Sequence, residues 1–567
     1  MSARRRTARG SLASVQRRRL MVLAGFVIAA YAALGARAVQ LQALDADWLA
    51  RRAQLQRSRT LQFSALRGQI VDRTGLLLAI SAGVDSVAAS PRLVRDRALA
   101  ARQLHGALGV PLERISAQLD PSRGFTWISR WITPDQAQRV RKLELAGVRL
   151  QSERKRFYPN RGLAASYLGF AGHDGEGLSG IELAFDAVLR GEAARVAVQR
   201  DGRGRVLMPA DSNLSMRRGA RLVLALDAKL QARAEQVLAH GQQETQATHL
   251  SLVAIDPRNG DVLALAEAPG FNPNRFWEAD PGAFRTRGFV DAFEPGSTLK
   301  PFTVALALEA GVVTPDEPFD CEGGRWRVRD RIIRDWRPHG ILSVREIVAQ
   351  SSNIGAAKIA NRLGSRRLVE GLARFGFGVQ THSGFPGEAN GVLHSIREAQ
   401  AVERANLAFG QGLTATALQL ATAGAVLANG GLLVRPRLAL RLERGDETLE
   451  FPADPGVRVL ESETAATVLA MLRAAVAHGT GGGAALRLHQ VAGKTGTAQK
   501  VVNGRYSNER FVASFLGIVP VDDPQIVIVV VVDEPRFGRH TGGGIAAPIF
   551  RKVARHAARN FAAAGPS

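Results

Sequence analysis

The chain has 567 residues and a mass of 60.8 kDa, enough for three or four structural units. With 46% hydrophobic and 22% charged residues it can bury a large core, which excludes wholesale disorder and collagen-like architectures. Its one cysteine, Cys321, permits no internal disulfide and no multi-cysteine metal site, and reads as a loop residue. Basic residues outnumber acidic ones 75 to 51, a formal charge of +24 that raises nucleic acid, anionic lipid or an acidic polymer as partners.

The first 19 residues hold seven arginines and no acid, and an uninterrupted apolar run follows from Leu20 to Ala36. Seventeen residues at ~1.5 Å each just span a bilayer core, and Ala38, Val39 and Leu41 extend the helix past Arg37, whose long side chain can snorkel. A cleaved signal peptide competes, since Ala30-Tyr31-Ala32 and Ala36-Arg37-Ala38 resemble cleavage sites, but the run exceeds the usual ~7 to 15 residue core. The arginines before it, with Asp45 and Asp47 after it, predict a cytoplasmic tail over 1–19, a transmembrane helix over 20–41 and an extracytoplasmic remainder. The other arginines are scattered and form no basic stripe interleaved with aromatics, which argues against nucleic acid.

Residues 42–66 read as a polar helix continuing the anchor. Arg67 to Ala79 reads as two short strands around a Thr74-Gly75 turn. Helical spacing is visible over 92–118 and from Pro134 to Leu145, and 156–220 is Gly- and Arg-rich and mixed. From about Arg221 the texture changes to long apolar helices and β-branched strands: Leu222–Leu226, Ser251–Ile255, Val262–Ala266 and a fully buried strand over Gln525–Asp533, with Asp227 capping a helix through Leu238. The pattern predicts a pedestal over 42–220 and an α/β or α+β domain over 221–567 built around one sheet.

Three segments carry chemistry. Ser297 and Lys300 open a buried helix, and three residues of helix put them on one face, so that a neutral lysine amine could take the serine proton. The bland alternative is a capping serine beside a solvated lysine. A second Ser-x-x-Lys at Ser152 to Lys155 lies in a charged stretch and is accidental. Ser351-Ser352-Asn353 places a hydroxyl and an amide on a turn between helices, a pattern that is most often only a cap. Lys494-Thr495-Gly496-Thr497 alternates hydroxyls along a strand. A phosphate-binding loop would need glycine at position 488, where this chain has Leu488. The strand glycine implies close backbone approach, with a bound peptide as the candidate. Only 8 of the 75 basic residues are lysine, so a lysine at position 300 or 494 is informative: a merely solvated cation here is usually arginine.

Together and in this order, Ser-x-x-Lys, Ser-x-Asn and Lys-Thr-Gly resemble the active-site set of penicillin-binding proteins and serine β-lactamases. The resemblance extends over nearly the whole chain. Arg67 to Ala79, Arg156-Phe157-Tyr158-Pro159 through Gly169-Phe170, and Gly177 to Glu182 are similar to the pedestal boxes of class B penicillin-binding proteins, and Gly410-Gln411-Gly412 with Thr416 to Ala421 resembles a helix start of their transpeptidase domain. It implies a transpeptidase fold with a central antiparallel sheet behind a mixed α+β, dimerisation-type pedestal. The implied activity is that of a peptidoglycan D,D-transpeptidase of the cell-division type, anchored in the inner membrane at the septum. Ser297 would be the nucleophile, Lys300 its base and Ser351 a proton relay, while Asn353 would hold Lys300 and the substrate amide. Lys494, on a strand end in the cleft and outside the core, would supply positive potential. Thr495 and Thr497 would bind the terminal carboxylate, with Gly496 also lining the substrate, and an oxyanion hole would lie at the N–H groups of Ser297 and Thr497. The implied partners are stem peptides, β-lactams, a membrane-embedded glycan polymerase and other division proteins, with no metal or organic cofactor. An elongation-type transpeptidase, a D,D-carboxypeptidase, a penicillin sensor and a β-lactamase relative are the alternatives. No Glu-x-x-Leu-Asn lies between Asn353 and Lys494 to position a deacylating water, which argues against the β-lactamase.

Overall fold

The structure is a computed structural model and describes residues 7–63, 65–191, 194–200, 206–207, 218–395, 400–536 and 540–561. Contacts divide the chain into two units. One comprises residues up to Ala65 with Glu192–Arg217; the other comprises Leu66–Gly191 and Arg218–Ser567. The pedestal expected over 42–220 is thus shared between both.

In the first unit a continuous helix, Thr7–Val39, carries the apolar run and passes through a π-helical turn, Gln40–Leu44, into a helix over Ala46–Arg57. The span Val15–Leu44 contains an apolar stretch of 18 residues that is not buried against protein; among the described residues it is the one helix long and apolar enough to cross a membrane. The polar helix expected to reach residue 66 stops at Arg57, where Leu61 and Phe63 alternate with polar residues in strand period. Ser58–Phe63 pairs antiparallel with Ala194–Arg200.

The second unit holds two large sheets: the one expected within 221–567, and another in which strands from that region, Arg221–Leu224 and Ala439–Arg444, join strands of the pedestal. In the first, Arg221–Leu224 lies parallel to Ile70–Val71 and antiparallel to Ala439–Arg444. Ile70–Val71 continues into Leu77–Ala89, which is flanked by Thr126–Ile132 and Val148–Phe157. The expected turn is built by Asp72, whose Oδ1 accepts from the Thr74 and Leu76 N–H groups at 2.9 and 2.8 Å, with Gly75 at φ +90°. The helical stretch read over 92–118 breaks at Gly109 into Arg97–Leu108 and Leu112–Gln118. Ser152 and Lys155 lie on a strand, where a three-residue spacing puts them on opposite faces.

The boxes around Arg67, Arg156 and Glu182 meet in one buried knot. The Glu182 carboxylate is fully buried between Arg67 and Arg156, each at 2.6 Å, and Tyr158 Oη donates to it at 3.2 Å. Arg67 also reaches Asp186 at 2.6 Å. Burial pushes the Glu182 carboxyl up, but the two guanidiniums outweigh it and hold the group below its ordinary value. We expect Glu182→Gln to cost about 3–5 kcal/mol, because it leaves buried guanidinium charge without its counter-ion. A urea midpoint unchanged from wild type would contradict this.

The second sheet is antiparallel throughout. Its strands are β1 (His249–Ile255), β2 (Val262–Ala268), β3 (Ala492–Val502), β4 (Arg505–Val519) and β5 (Ile526–Asp533), in the spatial order β2-β1-β5-β4-β3. β5 is central and buried on both faces, as its run of valines and isoleucines requires. Ile526, Ile528, Val530 and Val532 pack with helices α1 (Ala228–Thr245) and α7 (Ala546–Phe561). Val527, Val529 and Val531 pack in the opposite core. That core receives α2 (Lys300–Glu309), α3 (Val344–Gln350), α4 (Asn353–Leu363), α5 (Ala417–Ala428) and α6 (Ser462–Ala477). Each such branched side chain contributes roughly 1.5–3 kcal/mol on burial. β3 is left at the sheet edge, with the chemistry-bearing segments beside it.

Candidate active site

Ser297 sits in a 3-10 turn, Gly296–Leu299, that runs directly into α2. Lys300, the first residue of α2, is completely buried, and its Nζ donates to Ser297 Oγ at 2.8 Å. The same amine reaches Ser351 O at 2.6 Å and Ser351 Oγ at 3.1 Å. Ser351 presents both oxygens because it ends α3 in the left-handed region, φ +63°, a conformation that costs a non-glycine residue roughly 1–2 kcal/mol. Lys494 Nζ comes to the same hydroxyl from β3, at 2.9 Å. One serine hydroxyl therefore bridges two amines.

Lys494 is fully buried, so the expectation of a strand-end lysine outside the core is corrected. It stands three residues into β3, and its stem runs under the strand towards α3. Burial pushes its amine down to about 7. Burial also pushes the Lys300 amine well below the ordinary lysine value; the Lys494 charge adds to that, and Asp335 opposes it. At neutral pH the pair does not carry two full charges, which is what proton exchange across Ser351 needs.

Thr495 Oγ1 lies 2.8 Å from Thr480 Oγ1, and the exposed Thr497 accepts at its Oγ1 from Gly542 N–H at 3.1 Å. Gly496 is needed for close approach, as its place in a strand implies, but what approaches is Ser514 Oγ from β4 and the nucleophile's own turn. A Cβ there would stand 2.6 Å from Pro295 O and 2.9 Å from Thr298 Cγ2. Gly496 thereby sets the spacing between β3 and Ser297. Asn353 opens α4, and its Nδ2 donates to Arg334 O at 2.8 Å, away from Lys300.

Two residues joined to this set were not legible in the sequence. Asp335 caps α4: it accepts from Ser352 Oγ at 2.7 Å and from the Asn353 and Ile354 N–H groups at 2.5 and 3.1 Å. Cys321, expected as a plain loop residue, is buried with its Sγ 3.3 Å from Ser352 Oγ. Ser352, unremarkable in the motif, is thus the fixed point of the turn that carries Ser351. Both contacts are long-range in sequence and no spacing rule encodes them.

Comparison with known proteins places the whole chain beside one family. The description "Penicillin binding protein transpeptidase domain" matches residues 250–555, and "Penicillin-binding Protein dimerisation domain" matches residues 62–224. The chain is 35% identical over 529 residues to the probable peptidoglycan D,D-transpeptidase PenA of Neisseria gonorrhoeae, covering 92% of this chain and 89% of that one. It is 34% identical over 544 residues to the peptidoglycan D,D-transpeptidase FtsI of Escherichia coli, covering 94% and 90%. The crystal structure of penicillin binding protein 3 from Mycobacterium tuberculosis, complexed with aztreonam, superposes with a TM-score of 0.68 at 27% identity, over 89% of this chain and 98% of that one. With a serine and a buried lysine in contact, a second lysine across a shared hydroxyl, and these matches along both parts of its length, the chain belongs to the penicillin-binding protein transpeptidases that carry a dimerisation domain.

Proposed function

We propose that this protein crosslinks peptidoglycan during cell division, as a serine D,D-transpeptidase that β-lactams acylate. The observation that carries the reading is the chain of contacts from Ser297 Oγ through Lys300 Nζ and Ser351 Oγ to Lys494 Nζ. Ser297 Oγ attacks the penultimate D-alanine carbonyl of a stem peptide while Lys300, neutral because buried, takes its proton. The oxyanion meets the N–H groups of Ser297 and Thr497, the second on the free edge of β3. As the C–N bond breaks, the proton passes from Lys300 by way of the Ser351 hydroxyl to the departing D-alanine nitrogen. An amine of a neighbouring stem then attacks the ester, gives its surplus proton back through the same amine, and releases Ser297.

Lys494, Thr495 and Thr497 receive the terminal carboxylate of the donor, and Gly496 keeps them at the right distance from the nucleophile. Asn353 works through the turn it shares with Ser351 and orients the substrate amide from the start of α4. The apolar N-terminal helix anchors the chain, with the arginine-rich tail in the cytoplasm and the catalytic unit outside. A partner embedded in the membrane polymerises the glycan, and division proteins hold the pair at the septum; the similarity to FtsI supports that assignment.

The test is to label membranes with a fluorescent penicillin, map the adduct, and deplete the protein. Label on Ser297 and filamentous cells that segregate DNA without dividing are expected. Label elsewhere would refute the site, and round, swollen cells would assign the protein to elongation.

A further inference from the structure

A cavity of about 400 Å³ opens at one end of the second sheet, and none of the residues assigned to acyl transfer lines it. Its floor is formed by strand ends. Asp533 on β5 lies opposite His249 on β1 and opposite Val512 on β4, and Val531 lies opposite Ser251. Its wall is the helical turn Arg287–Val290 with the segment continuing to Phe293. Lys500 closes one end from β3.

The charges within it are unevenly matched. Arg285 and Arg287 share a single carboxylate, Asp291, with the Arg287 contact at 2.7 Å, which leaves one guanidinium charge without an ion-pair partner among the described residues. At the other end Lys500 is held by Asp533 at 2.8 Å and Glu534 at 2.7 Å, and Arg510 lies 3.9 Å from Glu534, so that end is balanced. Beneath the floor the buried Glu267 accepts from Ser251 Oγ at 2.6 Å and from Gly288 N–H at 2.8 Å. Burial pushes its carboxyl up to about 8, so it is protonated at neutral pH and presents no repelling charge. His249 is pushed down by burial and by Arg287, so it is neutral there. The remaining lining, Val290, Phe293, Val512 and Val531, is apolar.

We infer that this cavity is a second ligand site, which takes the carboxyl-terminal residue of a peptide: its carboxylate on Arg285 and Arg287, its side chain against Val290, Phe293 and Val531. A fork of guanidinium donors suits a planar carboxylate, and the apolar wall rewards a side chain that a bare inorganic anion lacks.

The test uses the full-length protein in detergent micelles, with Ser297 first acylated by benzylpenicillin so that the cleft is filled. Acylation in the same sample reports separately on the proposed function. Racemic N-acetylleucine is the probe, followed by ligand-observed NMR, with its amide and inorganic phosphate as comparisons. Saturable binding is expected, at least about tenfold weaker for the amide and for phosphate, a loss of about 1.4 kcal/mol each. Arg287→Gln should weaken it about tenfold and Arg287→Lys much less; Arg285→Gln, at a more exposed position, gives the same reading if Arg287→Gln does not fold. No saturation by about 10 mM, equal binding of acid and amide, phosphate binding as tightly as the probe, or affinity unmoved by the substitutions overturns the inference.

Discussion

Lys300→Arg will put a permanent charge where the base stands and form no acyl-enzyme with penicillin. The amine it replaces is buried, sits 2.8 Å from Ser297 Oγ and is held well below the ordinary lysine value by burial and by Lys494. A guanidinium stays protonated beyond ~pH 12, so it can donate to Ser297 but cannot take its proton. We expect acylation to fall by about three orders of magnitude or more, equally in Ser297→Ala, with the double mutant no worse because the two groups act as one unit. Arginine is larger than lysine, so Lys300→Met is the companion: it keeps the stem, removes the amine and should be as inactive while folding normally. Intact-mass detection of the adduct and a thermal melt separate chemistry from folding. Acylation of folded Lys300→Arg or Lys300→Met near the wild-type rate would remove Lys300 as the base.

Lys494→Met should slow acylation about 100-fold and at the same time change how stability follows pH. The stem of Lys494 fills core space, so methionine tests the charge and alanine would add a cavity. Its amine titrates near 7 in the folded protein against about 10.4 when unfolded. Between those values the unfolded chain binds more protons, so this group makes wild-type stability rise with pH across that window and leaves it lowest below 7. In Lys494→Met that slope should flatten. Loss of the Lys494 charge also removes one of the influences lowering Lys300, so the acid limb of the acylation rate should move to higher pH. Denaturant midpoints at pH 6 and 9, with acylation rates across the same range, check both. A wild-type slope retained in the variant would show that Lys494 is not the group responsible.

How far these features could be read from the sequence depended on the range of the interaction. β5 was legible because a strand buried on both faces needs apolar residues at every position, and the unbroken run from Ile526 to Val532 leaves no alternative period. Ser297 and Lys300 were legible as a pair because their contact spans three residues of helix. The two-sheet arrangement was not, since Arg221–Leu224 carries no mark showing that it pairs with Ile70–Val71 instead of joining β1. Val148–Phe157 escaped notice as a strand because its charged residues hide the alternation. The depth of Lys494 was hidden for a related reason: burial of a lysine depends on what packs over the strand, here α6, the turn of Ser297 and, from far along the chain, Ser351. Asp335 and Cys321 belong to the same class of long-range partners.

The pairing of Ile70 with Leu222 also sets a timetable for synthesis. A chain emerging from its N-terminus exposes Ile70–Val71 long before Leu222 exists to receive it, and Arg221–Leu224 must itself wait for Ala439–Arg444. Closing such long loops is entropically slow, and an unpaired strand edge invites pairing with other chains until it is done. Most of the protein must therefore be delivered before the first large sheet is complete, which makes its early folding a matter for whatever shields the nascent segment.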